Sequence, residues 1–77
     1  MDQYTLNRFE YLNTYSKEEL EKLKQETLED LNHLLEKLED ANTSSEEKSE
    51  IRNSDLKYDR ELLEYIEYLK EEKHPTL

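Results

Sequence analysis

The chain has 77 residues, of which 42% are charged, and a formal net charge of −10 at pH 7. It contains no Gly and no Cys, which excludes glycine-rich phosphate loops, disulfide bonds, thiolate nucleophiles and Cys-ligated metals. The length predicts one small domain over residues 1–77. Because nucleic acids and anionic membranes attract Lys and Arg, this acidic balance predicts a basic protein partner, with no direct binding to nucleic acid or membrane.

The N-terminal sequence has neither the basic start nor the apolar stretch of about 7 to 15 residues that defines a signal peptide. No apolar run approaches the roughly 20 residues that span a bilayer. We therefore expect a cytoplasmic protein.

The first segment, residues 4–13, fits two patterns. Leu6, Phe9 and Leu12 share one face of a helix, whereas Tyr4 with Leu6 and Phe9 with Tyr11 alternate as in a strand. A strand would need a pairing partner, and the sequence offers no second β segment. We therefore expect a short helix.

The second segment, residues 17–41, begins with Ser16 and Glu19 in the spacing of a capping box. Apolar residues then recur at steps of three to five, as on one face of a long amphipathic helix. After this helix the polar run 42–45 predicts a tight turn, in which Asn42 takes the left-handed conformation that commonly ends helices.

The third segment, residues 45–73, begins with a second capping-box spacing at Ser44 and Glu47. Its predicted apolar stripe consists of Ile51, Tyr58, Leu62, Tyr65, Ile66 and Leu69. Asp55 interrupts this stripe, so we expect a break near residues 53–54. Pro75 ends the helix and leaves residues 74–77 as a tail.

These elements predict an all-α fold. Two long amphipathic helices form a hairpin, and a short N-terminal helix packs against it. The result is a small three-helix bundle or, if two hairpins pair, a dimeric four-helix bundle. A homodimer is favoured because two helices cover each other's broad apolar stripes only in part. The core and self-association stripe is predicted to contain Leu20, Leu31, Leu35, Leu38, Tyr58, Leu62, Tyr65 and Leu69.

No catalytic or cofactor-binding residue is predicted. His33 lies at helical spacing from Glu29 and Glu36, but a metal site in a helical bundle needs such residues from several helices. The many carboxylates allow an acid/base pair to be chosen at will, and a thin bundle has little room for a catalytic pocket. We therefore expect a protein that is not an enzyme and holds no metal. The six tyrosines either cover the edges of the core or form a recognition surface.

Acidic residues concentrate in two places. The predicted hairpin tip carries Glu36, Glu39, Asp40, Glu46, Glu47 and Glu50. A row along the third segment carries Glu61, Glu64, Glu67 and Glu71. These carboxylates either form an ordinary solvated face or contact a basic partner, with side chains about 5 to 6 Å apart along the helix standing in for phosphates.

In size, charge and helical pattern the chain resembles the small acidic proteins by which phages and other mobile elements inhibit host proteins, some of which mimic DNA. The resemblance implies a protein-binding module that inhibits or modulates a partner, including one that normally binds nucleic acid. The alternative is a structural or assembly protein that pairs with itself or with a larger helical partner.

Overall fold

The computed structural model describes residues 2–73, so the predicted tail lies outside the described residues. The helical segments, in chain order, are α1 (Gln3–Arg8), a 3₁₀ helix (Glu10–Thr14), α2 (Lys17–Glu39), α3 (Ser45–Glu50), a π-helical turn (Ile51–Asp55) and α4 (Leu56–Lys73). No strand occurs within this part of the chain. The prediction of an all-α hairpin is confirmed, because α2 packs along α4.

The two long helices run antiparallel, as the ion pairs of α2 with α4 and with α3 show. These pairs are Glu21 with Lys70, Lys24 with Glu67 at 3.0 Å, and Lys37 with Glu47 at 3.6 Å. Residues later in α2 therefore pair with residues earlier in the segment 45–73. The pKa of Glu21 is lowered chiefly by its hydrogen bond to Lys70, and the same bond raises the pKa of Lys70.

The N-terminal segment is helical, as predicted, but it divides at Phe9. The Asp2 carboxylate accepts a hydrogen bond of 2.8 Å from Thr5 N and so caps α1, and this bond lowers the pKa of Asp2. After Phe9 the chain tightens into the 3₁₀ helix. Phe9 and Leu12 are both fully buried, so this segment closes one half of the hairpin.

The predicted capping box at the start of α2 is confirmed. Glu19 N donates to Ser16 Oγ at 3.1 Å, and Ser16 N donates to the Glu19 carboxylate at 2.9 Å. At the start of α3, Glu47 N likewise donates to Ser44 Oγ at 3.1 Å, while the Glu47 carboxylate pairs with Lys37. That contact ties the cap of α3 to the end of α2.

The predicted left-handed residue in the turn is wrong, because no residue in the range 2–73 has a positive φ. Asp40 instead ends α2 in an extended conformation, with φ of −75° and ψ of 124°. Its carboxylate accepts a hydrogen bond of 2.8 Å from Asn42 N, and its carbonyl accepts one of 3.2 Å from Thr43 N. An aspartate side chain that bonds the backbone two residues on makes the turn without a left-handed residue.

The predicted break near residues 53–54 is confirmed and takes the form of a π-helical turn. Leu56 N donates to Ile51 O, five residues earlier, and the backbone on both sides stays α-helical. Residues 45–73 therefore form one rod. At the start of α4, Leu56 and Asp59 are buried, whereas Tyr58, which was predicted to face inward, is 36% exposed.

The core consists of two clusters along the hairpin. The larger cluster contains Phe9, Leu12, Leu20, Leu62, Tyr65, Ile66 and Leu69, and three elements enclose it. The smaller contains Leu34, Ile51 and Leu56, with Leu31 and Leu38 packed against it. In the described residues, this second cluster takes its members from α2, the π-helical turn and α4, without the N-terminal segment. The tip half of the molecule is therefore thinner.

Candidate functional site

A polar layer separates the two core clusters. On α2 it contains Thr27, whose hydroxyl donates to the carbonyl of Leu23 at 2.7 Å. On α4 it contains Asp59, which is only 5% exposed. The Oδ2 atom of Asp59 is buried and has no hydrogen-bond partner among residues 2–73. An unsatisfied carboxylate oxygen in the interior costs folding free energy and is a reason to look for a function.

The group opposite Asp59 is another acid, Asp30 of α2. Burial is the largest cause that raises the pKa of Asp59, followed by the hydrogen bond to Asp30, the charge of Asp30 and the charge of Asp55; together they bring this pKa to about 7. A hydrogen bond between two carboxyl groups requires that one of them carry a proton. Asp59 therefore keeps its proton through the acidic range up to near neutral pH.

These acids line an open cleft of about 350 Å³ between α2 and the rod formed by residues 45–73. Its wall on α2 consists of Asp30 and Leu34. Its wall on the rod consists of Asp55, Tyr58 and Asp59. We call this the aspartate cleft. Its lining contains three carboxyl groups and no basic side chain, beside one aliphatic and one aromatic surface.

The aspartate cleft departs from the charge pattern of the rest of the hairpin. Each ion pair between α2 and the rod formed by residues 45–73 joins a lysine to a glutamate. At Asp30 and Asp59 two acids meet, which opposes folding when both are ionised. A feature that weakens the fold where neighbouring positions strengthen it is a candidate for function.

An aromatic surface borders the cleft at Tyr58. The guanidinium carbon of Arg8 lies 4.6 Å from the centre of the Tyr58 ring, and Arg8 also pairs with Glu61 at 3.2 Å. The Phe9 ring contacts Tyr58 from the inside, with 5.6 Å between ring centres. Tyr4, Tyr11 and Tyr68 are well exposed. Arg8 is thus held over this surface and does not line the aspartate cleft.

The predicted acidic tip is fully on the surface. Its residues are Glu36, Glu39, Asp40, Glu46, Glu47 and Glu50, and all are exposed. Within residues 2–73, Glu47 is the only one of the six that forms an ion pair. Asp40 has a structural role as well, because its carboxylate holds the turn.

The predicted acidic row on the last helix is divided between two environments. Glu61 pairs with Arg8 and Glu67 pairs with Lys24, so both help to hold the bundle together. Glu64 and Glu71 are exposed. The tip therefore offers more unpaired carboxylates than the row does.

The predicted core stripe is also divided. Leu20, Leu62, Tyr65 and Leu69 are buried, and Leu31 and Leu38 are half-buried. Leu35 is 43% exposed and, like Leu28 at 38%, lies at the edge of α2. His33 is exposed, and residues 2–73 contain no group of three acidic or histidine side chains arranged to hold a metal ion.

Comparisons with known proteins gave no match: no family model, no curated protein and no solved structure is significantly similar to this chain. In the described range, none of the helices has the length and apolar character needed to cross a membrane.

The sequence did not identify the aspartate cleft. Its one signal was Asp55, which interrupts the apolar stripe and marks the break. Tyr58 and Asp59 are neighbours at the start of α4, and the apolar pattern favoured Tyr58 for the inward position that the structure gives to Asp59.

Proposed function

We propose that this chain is a protein-binding module that inhibits or modulates a basic partner through its acidic tip. The observation that carries the proposal is the tip itself, where six exposed carboxylates are accompanied by a single intramolecular ion pair. Unpaired surface charge of one sign attracts a partner of the opposite sign and speeds its association.

The shape of the tip supports the same proposal. The molecule is elongated, with extents of 45 × 24 × 18 Å, and the tip lies at one end of the hairpin. Acids at the end of α2, on the turn and on α3 lie close together there. A narrow end with dense negative charge fits a groove that binds nucleic acid, in which carboxylates take the place of phosphates. Mimicry of DNA is the specific form of the proposal.

The test compares three baits in capture from a cell lysate. The first is the wild-type chain. The second is a tip variant with Glu39→Gln, Asp40→Asn, Glu46→Gln and Glu47→Gln. The third is a control that neutralises the same number of exposed acids elsewhere: Glu10, Glu26, Glu29 and Glu72, each to Gln. Asn at position 40 keeps an oxygen that can accept from Asn42 N, so the turn is preserved.

A basic protein retained by the wild type and the control, and lost from the tip variant, is the expected result. Its association rate with the wild type should fall as salt rises, and the tip variant should show a flatter salt dependence. The proposal is wrong if the tip variant keeps its helical circular dichroism and retains the same proteins with unchanged rates.

A second candidate function is assembly through the apolar edge of α2. Leu28 and Leu35 are seven residues apart, so they lie on the same side of the helix and leave an apolar strip exposed. Pairing of two hairpins along this strip would give the dimeric four-helix bundle. Binding through such a strip should be nearly independent of salt, which distinguishes it from binding at the tip.

A further inference from the structure

The aspartate cleft and the acidic tip belong to the same hairpin, but they differ in burial. At the tip every acid is exposed. In the cleft, Asp59 is buried and its Oδ2 atom lacks any donor. A buried carboxylate oxygen gains most from a donor that arrives with a positive charge, because a charged hydrogen bond in the interior is stronger than one in water.

We propose that the aspartate cleft binds one arginine side chain of the basic partner. This inference rests on the proposed function, since it names a contact that such a partner makes. The occupant follows from the lining: Asp30, Asp55 and Asp59 supply negative charge, while Leu34 and Tyr58 supply apolar walls. A guanidinium group is planar, weakly hydrated and able to bridge two carboxylates, so it suits a site with both kinds of surface.

The groups around Asp59 leave the site open to an external cation. Asp30 faces it from α2, Asp55 from the π-helical turn and Tyr58 from its own helix. Arg8 of α1, which lies over Tyr58, is occupied by Glu61 and by the aromatic rings. A divalent metal is a poorer occupant, because the described residues include no set of three ligands placed around one point.

Binding of arginine should be coupled to loss of a proton. In the free protein, burial and the facing acids Asp30 and Asp55 raise the pKa of Asp59 to about 7, so Asp59 holds a proton at acidic pH. A guanidinium group takes the place of that proton and favours the ionised form. Below pH 7 the dissociation constant should therefore rise as the pH falls, by at most about tenfold per pH unit.

The experiment follows the carboxyl carbon of Asp59 by NMR in the full chain. The ligand is N-acetyl-arginine amide, added with ionic strength held constant by sodium chloride. N-acetyl-citrulline amide, which has the same shape without the charge, is the matched control, and magnesium chloride is a third arm. Saturation with the arginine derivative should lower the titration midpoint of Asp59 by at least half a pH unit.

Variants separate the cleft from the rest of the surface. Asp55→Asn should weaken binding while leaving the contact of Asp30 with the buried Asp59 intact. Glu29→Gln, an exposed change on α2, should not weaken binding. Three results overturn the inference: an unchanged Asp59 midpoint while the tip carboxylates shift, an equal shift with the citrulline derivative, or a shift produced by magnesium and not by arginine. The proposed function fails separately, by loss of tip dependence in the capture experiment.

Discussion

Asn13 and Tyr65, which are 52 residues apart in sequence, are joined by a hydrogen bond of 3.0 Å from Asn13 Nδ2 to Tyr65 Oη. The Asn13 amide also donates to the carbonyl of Glu10 at 2.8 Å. One side chain thus closes the 3₁₀ helix on itself and fixes it to α4. The Tyr65 ring is buried against Phe9, with 5.7 Å between ring centres.

Tyr65→Phe should remove this hydrogen bond while keeping the buried ring. We expect the free energy of unfolding to fall by about 0.5 to 1.5 kcal/mol, because the Asn13 amide keeps its bond to Glu10. Urea unfolding followed by circular dichroism measures the change. Tyr68→Phe is the control, since Tyr68 is 40% exposed and its loss of a hydroxyl should change little. Equal effects from the two variants would contradict the role assigned to this bond.

The stability of the chain should depend on pH through Asp59. Its pKa is about 7 in the folded chain and 3.8 in the ordinary state, so between these values the folded chain holds a proton that the unfolded chain lacks. The stabilisation is complete below pH 3.8 and is lost as the pH rises through 7. The free energy of unfolding should fall with a slope of at most about 1.4 kcal/mol per pH unit.

The control for this pH dependence is Asp59→Asn, which removes the titrating group at nearly constant size. Thermal unfolding of both chains should be compared from pH 5 to pH 8. The wild type should lose stability across this range, and the variant should lose less. Parallel curves for the two chains would mean that the buried Asp59 does not set the pH response.

Two apolar residues should differ sharply in their contribution to stability. Ile66 is fully buried in the larger cluster, and Ile66→Ala should lower the free energy of unfolding by about 2 to 5 kcal/mol. Leu35 is 43% exposed, and Leu35→Ala should cost the single hairpin much less. If Leu35→Ala is as damaging as Ile66→Ala, the larger loss must come from burial of Leu35 in a dimer.

Sedimentation decides between the single hairpin and the dimeric four-helix bundle. At high micromolar concentration a dimer of the 9.4 kDa chain should sediment at twice that mass. Leu28→Gln with Leu35→Gln should then return it to the mass of one chain, because both residues lie on the exposed edge of α2. A wild-type chain that sediments as a monomer would remove the assembly proposal.

The two serine caps should have different effects. Ser16 belongs to a complete capping box at the start of the longest α-helix, so Ser16→Ala should lower the free energy of unfolding by about 1 kcal/mol. Ser44 caps α3, which contains no buried residue. Ser44→Ala should therefore increase hydrogen exchange within α3 and leave global unfolding nearly unchanged. A global loss of similar size from both variants would contradict this division.

The sequence was a good guide where local chemistry decides the structure. Ser16 with Glu19 fixed the start of α2, and the leucine period identified its buried face. The turn was predicted in the right place with the wrong residue, because Asp40 can bond the backbone two residues on and needs no left-handed conformation. Both outcomes follow from interactions within a few residues.

The aspartate cleft could not be read from the sequence for a different reason. Tyr58 and Asp59 lie next to each other at the edge of the predicted stripe, and an apolar pattern assigns the tyrosine, not the aspartate, to the buried position. The cleft also needs Asp30 to lie opposite Asp59. This pairing depends on the antiparallel alignment of α2 and α4. A gap in the apolar stripe indicates that a break exists, but not how the break shifts the residues after it.

The π-helical turn gives the rod a spare residue. Ile51 and Leu56 both face α2 although they are five apart, and an uninterrupted α-helix brings residues four apart to the same side. Deletion of Ser54 should therefore yield a regular helix whose two halves still match α2, with an unchanged or higher melting temperature. Deletion of the equally exposed Glu64 should turn Tyr65, Ile66 and Leu69 by about 100° away from the core and unfold the chain. Length variation in this hairpin should accordingly be tolerated at the turn and rejected beyond it.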